Sequence, residues 1–447
     1  MKKHYMGTWE SIQQHEVPQW YKDCKFGIFI HWGIYSVPAY APRTWELGEI
    51  SGDEQWFCNN PYAEWYYNSV NVGKGPTYDH HIDLYGKNFK YEDFIPLWKA
   101  EKWNPNEWAK LFRKAGAKYV VLTAKHHDGF CLFPSKYTNF DSTHMGPMRN
   151  IAGELTDAVR NEGMRMGLYY SGLIDWQFAH DPIFCNTDIW GTASPTFTYA
   201  DYSYNQLIEL IDTYHPSVLW NDIGWPKQSE NAMPYLLAHY YNTVEEGVVN
   251  DRFNGLYKDF STKEYQTGNI NRKEKWEMCR GMGLSFGYNE NEGDEHLLSL
   301  PALIRLLVST VSNNGNLLIN IGPKADGSIP TEQIKRLLAL GKWLQINGEG
   351  IYGSCCSSRK NYEVNSRTSA KELWYTKKGN DLYIYAGGLT ENENQIEIPN
   401  LSPPVTALDN RLKIKNIPTH TGIRLILKNY KRDMHIVGFK APGAEKK

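Results

Sequence analysis

The chain has 447 residues, of which 41% are hydrophobic and 22% are charged. This length and composition exclude a disordered chain and favour one large domain followed by a smaller one. The 48 Lys and Arg residues nearly balance the 50 Asp and Glu residues, which leaves a formal net charge of −2 and no basic surface for a nucleic acid.

The N-terminal segment lacks the apolar stretch that a signal peptide requires. No window of 18 uninterrupted apolar residues occurs in the sequence, so no membrane-spanning helix is expected. The seven cysteines are odd in number and share no recurring spacing, which favours reduced thiols. These features predict a cytoplasmic protein with no membrane partner.

The larger, N-terminal part of the chain alternates β-rich and helical patterns. The predicted strands are Phe26–Ile30, Tyr119–Thr123, Met166–Tyr170, Ser217–Trp220 and Asn316–Ile321. The predicted helices are Glu107–Ala115, Ile151–Asn161, Tyr204–Tyr214, Leu297–Val311 and Glu332–Ile346. The strands are mostly apolar, as in strands that are buried on both faces. This order predicts an α/β fold in which residues 1–355 form a (β/α)8-like, TIM-type barrel domain.

The character of the sequence changes after Gly353. Ser357–Lys371 is polar and is predicted to be a linker or surface loop. Short strands are then predicted at Glu372–Tyr375, Asp381–Tyr385, Gln395–Ile398, Val405–Ala407 and Ile423–Leu427. Because turn residues separate these strands and no long helical pattern follows, residues 356–447 are predicted to form a small C-terminal all-β sandwich.

Two long stretches, Pro38–Lys90 and Ser171–Tyr202, lack clean periodicity and each follows a predicted strand. Long irregular segments inside a compact domain are usually functional, and the segments after the strands build the active face of a barrel. We therefore expect both stretches to line a functional site.

Polar side chains follow several of the predicted strands. His31 follows the first strand, His126 and His127 follow the second, and Asp222 follows Val218–Trp220. A carboxylate at such a strand end can be a nucleophile, a base, a metal ligand or a helix cap, and the Ile-Gly-Trp-Pro that follows Asp222 is a poor helix start. The strand ends therefore predict a catalytic site at one end of the barrel.

The adjacent histidines His126 and His127 are weak candidates for a metal site. Neighbouring residues of a strand point to opposite sides, and no metal-binding spacing is present in the sequence. Neutral imidazoles are well suited to hydrogen bonding with substrate hydroxyls, although any one of these histidines could instead be a core residue. No metal and no cofactor are predicted.

The 16 Trp and 30 Tyr residues favour a carbohydrate partner, because flat amphipathic rings suit the apolar C–H faces of sugars. Glycosidases commonly use two carboxyl groups, so Asp222 needs a partner on another loop. Spacing alone does not identify it. The candidates are Glu64, Glu264, Glu274, Glu277, Glu290 and Glu292.

Eight segments in one order resemble the α-L-fucosidases of glycoside hydrolase family 29. They are residues 26–40, 60–69, 117–133, 167–176, 218–226, 249–253, 276–293 and 314–330. The resemblance implies a retaining, exo-acting α-L-fucosidase in which Asp222 is the nucleophile and forms a covalent fucosyl-enzyme. It further implies that Glu264 is the acid/base, with Glu277 as the rival candidate.

The same resemblance implies which residues bind the sugar. They are His31, Trp56, Glu64, Trp65, His126, His127, Tyr169, Trp220, Arg252 and Phe286. Among them Trp56, Trp65 and Phe286 resemble the slot for the C5 methyl group of fucose. The expected partner is a fucosylated oligosaccharide or glycoside, and a homo-oligomer is suggested. The alternatives are a glycosidase of the same type for another sugar, such as a galactoside, and a non-catalytic fucose-binding protein.

Overall fold

The computed structural model describes residues 3–50, 52–191, 196–266, 270–363, 372–390, 395–402 and 404–445. The α-helices are α1 (Trp9–Ile12), α2 (Gln19–Cys24), α3 (Asp53–Cys58), α4 (Tyr66–Asn71), α5 (Pro76–Tyr85), α6 (Pro105–Ala115), α7 (Ile151–Asn161), α8 (Asn186–Gly191), α9 (Phe197–Tyr214), α10 (Met233–Thr243), α11 (Leu300–Ser312) and α12 (Thr331–Asn347). Short 3₁₀ helices lie at Ile34–Ser36, Ala63–Trp65, Tyr91–Leu97, Lys227–Ala232, Asp294–His296, Gly348–Gly350 and Arg432–Met434.

The strands fall into two groups along the chain. The first is β1 (Phe26–Ile30), β2 (Tyr119–Lys125), β3 (Arg165–Ser171), β4 (Val218–Asp222), β5 (Val248–Val249), β6 (Ser261–Glu264), β7 (Trp276–Gly281) and β8 (Gly315–Ile321). The second is β9 (Cys355–Cys356), β10 (Tyr362–Glu363), β11 (Glu372–Lys378), β12 (Asp381–Gly387), β13 (Gln395–Pro399), β14 (Thr406–Ala407), β15 (Lys413–Pro418), β16 (Gly422–Lys428) and β17 (Val437–Ala441).

The first eight strands form one curled parallel sheet in the order β5-β4-β3-β2-β1-β8-β7-β6. The edge strands β5 and β6 are joined by a parallel bridge between Asn250 and Phe260, which closes the ring. The predicted TIM-type barrel is therefore confirmed. In the part of the chain that the structure describes, no α-helix follows β5 or β6.

Side chains along each strand point alternately into the barrel and towards the surrounding helices. Phe29 on β1 and Trp220 on β4 pack inside the barrel, whereas Ile28 packs in the core between the strands and the helices. Because the period is two, His31 and Asp222 also point inward, one layer further along. The alternation of side chains along the strands therefore places His31 and Asp222 at the same end of the barrel.

Helix α11 lies in a segment, Asp294–Ser312, that is long and apolar enough by composition to cross a membrane. Its Leu303, Leu307 and Val311 are buried in the core of the barrel domain. The helix lies between β7 and β8 and contacts β8, so packing on the barrel accounts for its apolar face.

The C-terminal strands form two antiparallel sheets, one with the order β10-β11-β12-β17-β14 and with β9 paired to β11, the other with the order β13-β16-β15. Leu373, Ile384, Ile396, Leu425 and Phe439 from both sheets share one core. The predicted β-sandwich is therefore confirmed. The first strand of this unit is Cys355–Cys356, so the predicted boundary between residues 355 and 356 falls within it and stays a prediction.

Several expectations about local structure were wrong. Pro38–Lys90 contains α3, α4 and α5, and Ser171–Tyr202 contains α8 and the start of α9, so neither is irregular throughout. The predicted linker Ser357–Lys371 contains β10, and its residues 364–371 lie outside the described residues. Strands β5, β6 and β7 lacked the long apolar runs on which the strand prediction depended. All seven cysteines are free thiols, as predicted.

Candidate active site

A pocket opens at the end of the barrel where β1 to β4 and β6 terminate. All twelve predicted site residues line it, including both predicted catalytic carboxylates. The lining divides by burial into a floor and a mouth. Buried residues form the floor: Phe29, His31, Phe57, Asn60, Tyr62, Glu64, Trp65, His126, His127, Tyr169, Trp220, Asp222, Cys279 and Phe286. Partly or fully exposed residues form the mouth: Leu47, Trp56, Asn186, Ile189, Ile223, Arg252 and Glu264.

Asp222 is held ionised at the end of β4 by three donors. Tyr169 Oη donates to Oδ2 at 2.7 Å, while Arg252 Nη1 at 2.5 Å and the backbone N–H of Ile223 at 2.9 Å donate to Oδ1. Burial by itself raises the pKa of Asp222, but the charge of Arg252 and the hydrogen bonds from Arg252 and Tyr169 bring the pKa below its ordinary 3.8. An ionised, buried carboxylate facing a pocket can act as a nucleophile.

Glu264 ends β6 and shares Arg252 with Asp222. Arg252 Nη2 donates to Glu264 Oε2 at 2.8 Å, and Tyr62 Oη donates to Glu264 Oε1 at 3.1 Å. The two carboxylates therefore lie against adjacent nitrogens of one guanidinium, which in turn stacks over the ring of Trp220 at 4.8 Å. This close pairing is compatible with the separation of about 5–5.5 Å between carboxyl groups in retaining glycosidases.

Three buried histidines, His31, His126 and His127, lie in the floor of the pocket. His31 Nδ1 lies 2.7 Å from Asn320 Oδ1, and His127 Nδ1 lies 2.7 Å from the hydroxyl of Ser171, which itself donates to Ile174 O. Each partner can only accept here, so each Nδ1 carries the proton and each Nε2 is an acceptor. Burial lowers the pKa of His31 to about 4 and of His127 to about 3, so both rings are neutral at physiological pH.

The expectation that His126 and His127 point to opposite sides was wrong. The pairing of β2 with β3 shifts register between Thr123 and Lys125, and β2 ends at Lys125. The two histidines therefore lie beyond the regular strand, with ring centroids 4.0 Å apart, and both line the pocket. Within the described ranges, no group of three or more His, Cys, Asp or Glu side chains could hold a metal ion.

Glu64 is a buried carboxyl group in the floor of the pocket. Its Oε2 accepts the backbone N–H of Gly287 at 2.7 Å and the hydroxyl of Ser285 at 3.3 Å. Burial outweighs these donors and raises the pKa of Glu64 to about 8. At neutral pH this side chain is therefore protonated and can donate as well as accept a hydrogen bond.

We expect the stability difference between Glu64→Gln and the parent to depend on pH. Because the folded-state pKa of Glu64 is raised, its contribution to stability is present below about pH 4.5 and is lost as the pH rises through about 8. Gln cannot ionise, so the melting temperature of the variant relative to the parent should rise between about pH 5 and pH 8. Thermal unfolding of parent and variant across this pH range measures the difference in melting temperature. Glu10→Gln, at an exposed position, is the control for the loss of a carboxyl group. A difference that stays constant with pH would contradict the raised pKa.

Glu277, the rival acid/base candidate, lies beneath the pocket and does not line it. It is fully buried and accepts hydrogen bonds from Tyr21 Oη at 2.8 Å, Tyr119 Oη at 2.5 Å and Trp220 Nε1 at 2.9 Å. Burial raises its pKa despite these three donors. With its oxygens occupied by side chains of the barrel interior, Glu277 anchors Trp220 and is out of reach of a substrate.

Sequence reasoning missed nine lining residues. They are Phe29, Leu47, Phe57, Asn60, Tyr62, Asn186, Ile189, Ile223 and Cys279. Phe29 could have been found, because it precedes His31 by two positions and must share its face of the strand. Most of the others lie in the two stretches without periodicity, which supply both the floor and the mouth as expected.

Two carboxylates on strand ends, beside neutral imidazoles and aromatic rings, provide what cleavage of a glycosidic bond requires. The barrel and this site define a glycoside hydrolase. The sequence pattern of the family described as alpha-L-fucosidase matches residues 1–349. The chain therefore belongs to the α-L-fucosidase family, as its sequence motifs predicted.

Individual relatives agree with this assignment. The chain is 37% identical to an alpha-L-fucosidase of Dictyostelium discoideum over 86% of its own length and 80% of the relative. It is 36% identical to the plasma alpha-L-fucosidase of Homo sapiens, over 85% and 77% of the two chains. The structure of Thermotoga maritima alpha-fucosidase in complex with fucose superposes with a TM-score of 0.87 at 45% identity, covering 98% of this chain and 100% of that one.

Proposed function

We propose that the protein releases terminal α-L-fucose from fucosylated oligosaccharides or glycosides by a two-step retaining mechanism. In the first step Asp222 Oδ attacks the anomeric carbon, and Glu264 gives a proton to the departing glycosidic oxygen. The bond between C1 and the leaving group breaks as the bond between C1 and Asp222 forms. The observation that carries this proposal is the sharing of Arg252 by an ionised Asp222 in the floor and a Glu264 at the mouth.

In the second step a water molecule takes the place of the leaving group. Glu264, now ionised, accepts a proton from this water, whose oxygen attacks C1 and displaces Asp222. Two inversions at C1 give α-L-fucose with net retention. The neutral imidazoles of His31 and His127 can accept hydrogen bonds from sugar hydroxyls through both steps, because their low pKa values keep them unprotonated.

Two alternatives are less consistent with the site. A galactoside would place the hydroxyl on its C6 against the side chains of Trp56, Trp65 and Phe286, where it would lose its hydrogen bonds to water. A non-catalytic fucose-binding protein would not need two carboxylates on one guanidinium facing the pocket. Activity on a panel of nitrophenyl glycosides distinguishes an α-L-fucosidase from a glycosidase for another sugar. Single-turnover hydrolysis of an aryl fucoside distinguishes an enzyme from a non-catalytic fucose-binding protein.

The nucleophile assignment is tested by trapping the covalent intermediate. A 2-fluorofucosyl reagent with a good leaving group should form a long-lived ester with Asp222, because the fluorine destabilises the oxocarbenium-like transition state of both steps. Proteolysis and mass spectrometry should find the label on the peptide that contains Asp222, and free fucose should protect against labelling. A label on any other side chain would contradict the proposed mechanism.

A cytoplasmic location, action without a cofactor and assembly into a homo-oligomer also form part of this proposal. They rest on the sequence features and the family resemblance given above. The oligomeric state can be measured by sedimentation equilibrium.

A further inference from the structure

The residue after the proposed nucleophile has a backbone conformation that its side chain disfavours. Ile223 has φ +59°, and among the described residues it is the only β-branched residue with positive φ. A left-handed conformation is rare for such a side chain and is easily adopted by glycine, which follows at Gly224 with φ +102°. An isoleucine at this position is therefore held against its preference, which points to a use for its side chain.

The surrounding structure imposes this conformation through hydrogen bonds on both sides of the turn. Asn221 Nδ2 donates to Gly224 O at 2.8 Å, and the side chain of Asn254 pairs with the N–H and C=O of Trp225 at 2.9 and 2.8 Å. Inside the turn, the backbone N–H of Ile223 donates to Asp222 Oδ1. Residues 223 to 225 take part in these bonds through their backbone N–H and C=O groups only, so none of the bonds requires an isoleucine side chain at position 223.

The side chain of Ile223 contributes to an apolar surface at the mouth of the pocket. Ile223, Leu47 and Ile189 are partly exposed and pack against the same aromatic cluster; we call these three residues the apolar rim. Leu47 and Ile189 belong to different segments, which are tied together where Asn186 donates two hydrogen bonds to the carboxylate of Asp53, at 2.9 and 3.0 Å.

The position of the rim identifies which part of a substrate it meets. In the proposed mechanism the sugar that is cleaved lies beside Asp222 in the buried floor, and its leaving group extends past Glu264, which lies in the mouth with the rim. We propose that Ile223, with Leu47 and Ile189, forms an apolar leaving-group site that selects glycosides whose leaving group presents an apolar face. This inference rests on the proposed function, because it takes Asp222 and Glu264 to mark the two sides of the scissile bond.

The test compares two substrates that differ in what reaches the rim. α-L-Fucosyl fluoride has no group to contact it, whereas 4-nitrophenyl α-L-fucoside has an aromatic ring; both leaving groups need little protonation, so acid catalysis does not enter the comparison. For Ile223→Asn, whose new side chain tolerates positive φ, we expect the ratio of kcat/KM on the nitrophenyl substrate to kcat/KM on the fluoride to fall about five- to tenfold. Ile223→Gly should behave in the same way.

Two further measurements separate the possible outcomes. His215→Gly relieves a positive φ of 46° at the C-terminus of α9, away from the pocket, and should leave the ratio between the substrates unchanged. Both Ile223 variants should melt no lower than the parent, because the strain is relieved. An unchanged ratio, or an equal loss on both substrates, would overturn the leaving-group site. Failure of the parent to turn over the fluoride would instead overturn the proposed function.

Discussion

Asp222→Gly is expected to lower kcat on aryl fucosides by roughly four orders of magnitude, since it removes the group that forms the covalent intermediate. The remaining site should still bind fucose, because His31 and His127 take their orientation from Asn320 and Ser171 and not from Asp222. Loss of turnover with retained fucose binding therefore separates a chemical role from misfolding. Fucose binding can be measured by calorimetry. A variant with parental kcat would show that Asp222 is not the nucleophile.

The same variant offers a second, stereochemical readout. Removing the carboxylate leaves a space bordered by Tyr169 Oη and the guanidinium of Arg252, both of which are hydrogen-bond donors to an anion. Azide in this space would attack C1 from the face that Asp222 uses and expel the leaving group in a single displacement. We expect partial recovery of activity and a β-L-fucosyl azide, with inverted configuration, as the product seen by NMR. An α-azide from this variant would contradict the assignment.

Asp222 was easier to predict from the sequence than Glu264, because the strands that carry these two carboxylates differ. Asp222 follows the buried apolar run of β4, and an apolar strand that ends in a carboxylate is visible without any relative. Glu264 ends β6, a four-residue strand whose members are all partly exposed and whose sequence, Ser-Thr-Lys-Glu, has no apolar signal. Its strand therefore escaped prediction, and only the family resemblance indicated its role.

Features that depend on backbone irregularity were equally hidden. The register shift between Thr123 and Lys125 turns two adjacent histidines towards one pocket, contrary to the alternation that a regular strand would impose. The turn that contains the positive φ of Ile223 is held by hydrogen bonds from the side chain of Asn221, in the preceding strand, and from that of Asn254, which lies in a different segment. Periodicity describes regular elements, so it finds the barrel and the polar residues near its strand ends but not the irregular segments that complete the pocket.

Glu264→Ala is expected to slow substrates in proportion to how much their leaving group needs a proton. For fucosides with poor leaving groups, such as alkyl or sugar alcohols, kcat/KM should fall by about 10²–10⁴. For α-L-fucosyl fluoride it should change little. The nucleophile should remain in place, since Arg252 Nη1 and Tyr169 Oη bind Asp222 independently of Glu264. A plot of log kcat/KM against leaving-group pKa should therefore become steeper than that of the parent.

Glu277→Gln is the matched control, because Glu277 is a buried carboxyl group beneath the same pocket. Its loss should disturb Trp220 through the indole hydrogen bond and lower kcat/KM by a similar factor for good and poor leaving groups. Azide distinguishes the two glutamates further. In Glu264→Ala it can enter from the leaving-group side, attack the fucosyl-enzyme and give an α-L-fucosyl azide, the opposite anomer to that expected from Asp222→Gly. If Glu277→Gln instead showed the leaving-group dependence and the α-azide, the acid/base would be Glu277, and the structure's placement of its oxygens against Tyr21, Tyr119 and Trp220 would have to change during turnover.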